Sequence, residues 1–231
     1  MLWEGTHNVP VTSYGDGCLP ISRAFSSGER ATVRVRTRSG FELVCTPDHR
    51  LMTDRGWVQA ASLEIGEDRV WIQSDPGVFA SNGRLPFDTP REFKGRNGRV
   101  YRHNLPTGWS RDLGLVLGWL VGDGWLRAGD RNCGVGFSFG ADDVEMRDRI
   151  HEVVDGWYGC PTRAVERARG VWHVSYHGKF FVDFFRGLGV LPVGAAEKTV
   201  PASLLGAPRE AVIGFLQGLF TADGTVCDNP K

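Results

Sequence analysis

Asp123 and Asp223 each close a stretch built on one plan. The first reads Gly114-Leu-Val-Leu-Gly118-Trp-Leu-Val-Gly122-Asp123-Gly124, and the second reads Gly214-Phe-Leu-Gln-Gly218-Leu-Phe-Thr-Ala222-Asp223-Gly224. Two carboxylates brought side by side repel one another, and a divalent cation relieves that repulsion. If the two stretches meet, the pair is therefore a metal-ready acidic site.

The elements that must bring them together are legible in the same residues. Small side chains recur at four-residue steps: Gly114, Gly118, Gly122, and then Gly214, Gly218, Ala222. That spacing places them on one face of a helix. A face without side chains lets two helix backbones approach closely. Each isolated Gly costs about 1 kcal/mol against Ala in a helix, so three in register need a reason. The Gly after each Asp is expected to take positive φ and stop its helix. The expectation is a tight helix pair with Asp123 and Asp223 at the same end.

The pattern resembles the LAGLIDADG motif of homing endonucleases, with Val116–Gly124 as one copy and Leu216–Gly224 as the other. The resemblance implies that Asp123 and Asp223 hold divalent metal, usually Mg2+, between the strands of double-stranded DNA at a homing site, following two-metal logic. Inteins that carry such a domain also have a Lys-x-(Ile/Val)-Pro segment, which Lys198-Thr-Val-Pro201 fits. Lys198 would then organise the attacking water or stabilise charge on the phosphorus.

An earlier block, Cys45-Thr46-Pro47-Asp48-His49 through Gly56-Trp57-Val58 to Val70, is similar to the Thr-x-x-His block of the Hint (intein splicing) fold. By that resemblance His49 protonates a leaving amine, Thr46 orients the scissile peptide, and the partners are the exteins of a host protein. The match departs from the pattern at both ends. No Cys precedes Val9, and no His-Asn pair precedes Lys231. The chain is thus expected to be an interior fragment of a larger autoprocessing, DNA-cleaving protein. Two alternatives stand beside it: a catalytically inactive relic, or a DNA-binding regulator derived from the same motif.

Composition sets the outer bounds. The chain has 231 residues, with 27 basic against 27 acidic, so any DNA surface must come from local clustering. No apolar run approaches the roughly 18 residues of a membrane span, and the expected location is cytoplasmic, away from membranes. Five scattered Cys suggest neither disulfides nor structural zinc.

The expected fold class is α+β and multidomain. Residues 1–73 would form an all-β, horseshoe-like Hint portion. Residues 74–110, rich in Pro and basic, would be a solvated linker or an arm touching DNA phosphates through Arg96 and Arg99. Residues 111–231 would form an αββαββα-type domain truncated after the second motif helix. Period and turn signals there predict helices over 112–122, 142–158 and 179–188, strands over 133–139, 162–167 and 171–176, and a weak strand near Leu126. Arg163, Arg167, Arg169, His173, Tyr176 and His177 lie on or beside the predicted strands, where a concave sheet would meet DNA. A helix pair with only one sheet would leave apolar surface exposed, so poor solubility is expected.

Overall fold

The computed structural model describes residues 10–13, 17–20, 28–72, 79–95, 98–129 and 132–225. The chain divides into two compact units, Met1–Val78 and Phe79–Lys231.

The first unit is made of antiparallel hairpins. Strands β1 (Pro10–Ser13) and β2 (Gly17–Pro20) pair, as do β3 (Val33–Arg36) and β4 (Glu42–Cys45), and β5 (Arg50–Thr53) and β6 (Gly56–Gln59). In β3 the valines are half-buried and the arginines exposed, as the alternation requires. Gly40 and Gly56 turn two of the hairpins at positive φ (89° and 91°), a region that only Gly enters freely. Asp68 closes the loop after β6. Its carboxylate accepts from Arg55 at 2.6 and 2.7 Å and from the Glu64 amide at 2.7 Å, which holds its pKa below the ordinary carboxylate value.

The second unit is α+β. Its two short strands β7 (Glu92–Lys94) and β8 (Val100–Arg102) precede helix α1 (Arg111–Asp123). Strands β9 (Gly124–Ala128) and β10 (Cys133–Phe139), helix α2 (Val144–Tyr158), strands β11 (Val165–Glu166) and β12 (Trp172–His177), and helices α3 (Lys179–Gly187) and α4 (Arg209–Asp223) follow. The sheet is antiparallel in the order β11-β12-β10-β9. Helix α1 starts with the Ser110 hydroxyl accepting from the Leu113 amide at 3.1 Å. Its whole stretch Leu113–Leu120 is buried, which fits a helix apolar on every side. Trp119 lies fully buried on Phe139 and donates its indole N–H to the Ser138 carbonyl at 2.9 Å. Replacing Ser110 by Ala should cost about 1 kcal/mol in a denaturant titration, since no other side chain takes the Leu113 amide.

Residues 79–110 do not form a linker. Leu105 and Trp109 belong to the core, Phe87 meets Phe184 edge-on, and Phe93 stacks on Phe180 at 4.5 Å. Buried His103 bonds through Nδ1 to the Tyr158 carbonyl at 2.8 Å. Pro and basic residues masked this apolar set in the sequence.

Candidate functional site

The α1–α4 contact is as close as two helices can come. A Cβ added at Gly114 would collide with the Ala211 carbonyl, and one at Gly118 with the Phe215 carbonyl. Reciprocally, a Cβ at Gly214 would strike the Arg111 carbonyl and one at Gly218 the Leu115 carbonyl. At the foot of the pair a Cβ on Gly122 would stand 2.8 Å from the Ala222 Cβ and 3.7 Å from the Asp223 Cβ. Asp123 and Asp223 thus end neighbouring helices side by side.

The helix ends depart from the expected stop. Gly124 (φ −103°) and Gly224 (φ −84°) are extended, not left-handed. Their need for Gly is one of space. A Cβ on Gly124 would lie 2.6 Å from the Leu120 Cα, and one on Gly224 would run into the Phe220 carbonyl.

Lys198 lies over the end of α1. Its ammonium donates to the carbonyls of Gly124 at 2.6 Å and Gly122 at 3.0 Å. A cation there satisfies orphan carbonyls and the negative helix end. Burial holds the Lys198 pKa below its ordinary value, against the pull of Asp123 and Asp223. The Asp123 pKa is raised, first by burial, then by repulsion from Asp223, with Asp143 adding to it and Lys198 opposing. Asp143 is a member of this field that the sequence pattern did not single out.

A carboxyl whose folded pKa is raised takes up protons on folding, so its charge costs stability above that pKa. The cost disappears as pH falls toward the ordinary value of 3.8. Asp123→Asn should therefore melt higher than the parent at neutral pH without metal. The difference should shrink toward zero on acidification, as read by thermal melts across pH.

Among the described residues, no group of three or more His, Cys, Asp or Glu is placed to hold a metal. Asp123 and Asp223 are two protein ligands only. Two carboxylates fit Mg2+, which keeps waters and completes its shell with substrate phosphates, better than a caged Zn2+.

The sheet's open face adjoins this site. By register, Trp125 and Arg127 of β9, Gly134, Gly136 and Ser138 of β10, and His173, Ser175 and His177 of β12 share it. The Trp125 ring lies across Gly136, where any Cβ would overlap it, and the Arg127 guanidinium stands 4.6 Å from its centroid. Neither residue was expected; the strand that carries them is only five residues long. His173 and His177 lie on this face, and burial followed by the Arg167 charge lowers the His173 pKa. Arg163, Arg167 and Arg169 are exposed around β11 and its turn, where Arg169 takes φ 63°. Tyr176 is not on the open face: it is fully buried, its hydroxyl donating to Asp155 at 2.9 Å. Arg99 packs over Tyr101, and Arg96 lies outside the described residues.

Thr46 and His49 belong to the other unit. They form the turn between β4 and β5, the His49 amide donating to the Thr46 carbonyl at 3.0 Å. The Thr46 hydroxyl bonds the Asp48 carboxylate and so lowers its pKa. His49 is exposed, and its carbonyl accepts from the Ala60 amide at 2.8 Å.

No family model matches the chain. It is similar to a replicative DNA helicase DnaB of Rhodothermus marinus, 26% identical over 89% of this chain and 20% of that protein. It is also similar to the large polypeptide named for the A-type ATP synthase of Pyrococcus abyssi, 28% identical over 95% of the chain and 22% of the relative. The protein RecA of Mycobacterium bovis is 26% identical over 94% of the chain and 25% of its own length. The chain spans about a fifth to a quarter of the curated relatives it matches.

These relatives correct the family expectation. They are named as a helicase, a component of an ATP synthase and RecA, and none as an intein or a LAGLIDADG endonuclease. The identification as a Hint protein with a homing endonuclease is withdrawn. Protein splicing, homing-site cleavage and extein partners, and the roles they gave to His49 and Thr46, go with it. The relatives include enzymes, and one is named for DNA. No helix among the described residues is long and apolar enough to cross a membrane.

Proposed function

We propose that the foot of the α1–α4 pair is a Mg2+ site that engages phosphate groups of DNA lying along the open face of β9, β10 and β12. Asp123 and Asp223 hold the cation. Lys198 sets the end of α1 and supplies a positive charge beside it. When bound, Mg2+ polarises phosphate oxygens and lowers the pKa of bound water. Arg127, Arg163, Arg167 and Arg169 contact the phosphate backbone, and His173 and His177 face the groove. The observation that carries this reading is the juxtaposition of Asp123 and Asp223, each ending a helix whose glycines admit no other packing.

The name of one relative adds weight to DNA as the partner. The name of another makes ATP an alternative source of phosphate. The sequence contains no Gly-x-x-x-x-Gly-Lys-Ser/Thr phosphate loop, which disfavours that source.

Fluorescence anisotropy of a labelled mixed-sequence duplex tests the reading. Affinity should rise on adding Mg2+, fall with added salt, and weaken in Arg127→Ala. The reading fails if duplex DNA does not bind, or if ATP alone binds in a Mg2+-dependent way.

A further inference from the structure

Away from the acidic pair, the second unit holds a cavity of about 170 Å³ between residues 87–93 and α3. Phe87, Phe93, Phe180 and Phe184 line it, with Leu105 and Pro90. Its walls are fixed. Phe93 stacks on Phe180, Phe87 meets Phe184 edge-on, and Gly187 admits Phe87, whose ring a Cβ there would crowd at 2.7 Å.

One polar atom spoils this apolar lining. The Thr89 hydroxyl is buried and has no hydrogen-bond partner among the described residues. A buried hydroxyl left unmade costs about 1–3 kcal/mol, so a ligand that pairs with it gains affinity and direction. Asp88 and Asp183 also line the space, against one guanidinium, Arg186, which bonds Asp183 at 3.3 Å. That balance repels anions.

Volume and chemistry converge on one class of ligand. An apolar cavity of about 150 Å³ accepts a benzene ring. We propose that this cavity is a binding site for a small uncharged phenol: one six-membered ring between the four Phe rings, its hydroxyl paired with Thr89. The proposal does not depend on the Mg2+ and DNA reading.

Ligand-observed NMR on the full chain, titrated separately with phenol, toluene and benzoate, gives the three affinities. Phenol should bind about fivefold tighter than toluene, the equivalent of one neutral hydrogen bond of about 1 kcal/mol. Benzoate should bind weakest. Thr89→Val, which keeps the shape and removes the hydroxyl, should bring phenol down to toluene's affinity. Phe180→Trp, at a half-buried wall position, should weaken both. The hydroxyl pairing is overturned if Thr89→Val leaves the preference for phenol intact. The site itself is overturned if none of the three binds, or if Phe180→Trp, folded by circular dichroism, binds phenol as the parent does.

Discussion

Gly118→Ala should destabilise the second unit by about 3 kcal/mol or more, a loss at the upper end of what overpacking causes. The new methyl would fall on the Phe215 carbonyl and 2.7 Å from the Leu219 amide nitrogen. These are backbone atoms of α4, with no flexible side chain to swing away. The helices would have to separate along their whole contact, exposing Leu115 and Phe215, each now about 1% accessible. Gly156→Ala supplies the contrast. It lies within α2 with open space around it, so Ala should stabilise by about 0.5–1 kcal/mol through helix propensity alone. Denaturant midpoints for the two variants should move in opposite directions. A mild loss for Gly118→Ala, similar to that of an ordinary surface change, would mean that the helices are not in backbone contact.

Lys198→Met should cost about 2 kcal/mol, the size of hydrogen bonds that carry a charge. Met keeps the length of the stem and loses all three donors. The carbonyls of Gly122 and Gly124 would lose their charged partner at the end of α1. The same change removes the one cation that opposes the raised Asp123 pKa. Asp123 should therefore titrate higher still in the variant, and its carboxyl signal, followed by NMR through a pH series, should show it. A variant with unchanged stability and unchanged Asp123 titration would detach Lys198 from the site.

Elements with a strong period were legible in the sequence. The glycine steps gave α1 and α4 and their contact, because a bare helix face has few uses other than close approach. The helix expected at 112–122 spans Arg111–Asp123, and the strand at 133–139 spans Cys133–Phe139. What sequence missed was set by distant partners. Phe87, Phe93, Leu105 and Trp109 lie among prolines and arginines with no local period, and only α3 explains them. Strand β12 was found, but its faces were not. Pairing with β10 sends Tyr176 inward and His173 outward, and register is a tertiary property. Trp125 and Arg127 were missed because five residues are too few to show a period. The Thr46–His49 block is a turn held by its own hydrogen bonds, and its chemical reading did not survive the comparison with relatives. The exposed apolar residues Leu216 and Phe220 on α4 agree with the apolar surface expected beyond the second helix.

The central claim is that Asp123 and Asp223 together hold a divalent cation. Isothermal titration of the metal-free chain with Mg2+ at neutral pH tests it most directly, beside Asp123→Asn and Asp223→Asn. The account predicts one bound ion in the parent, with affinity falling at least about tenfold in either variant, the loss of one charged ligand being worth more than 1.4 kcal/mol. Equal Mg2+ binding in the parent and both variants, or no binding in any of them, would contradict it.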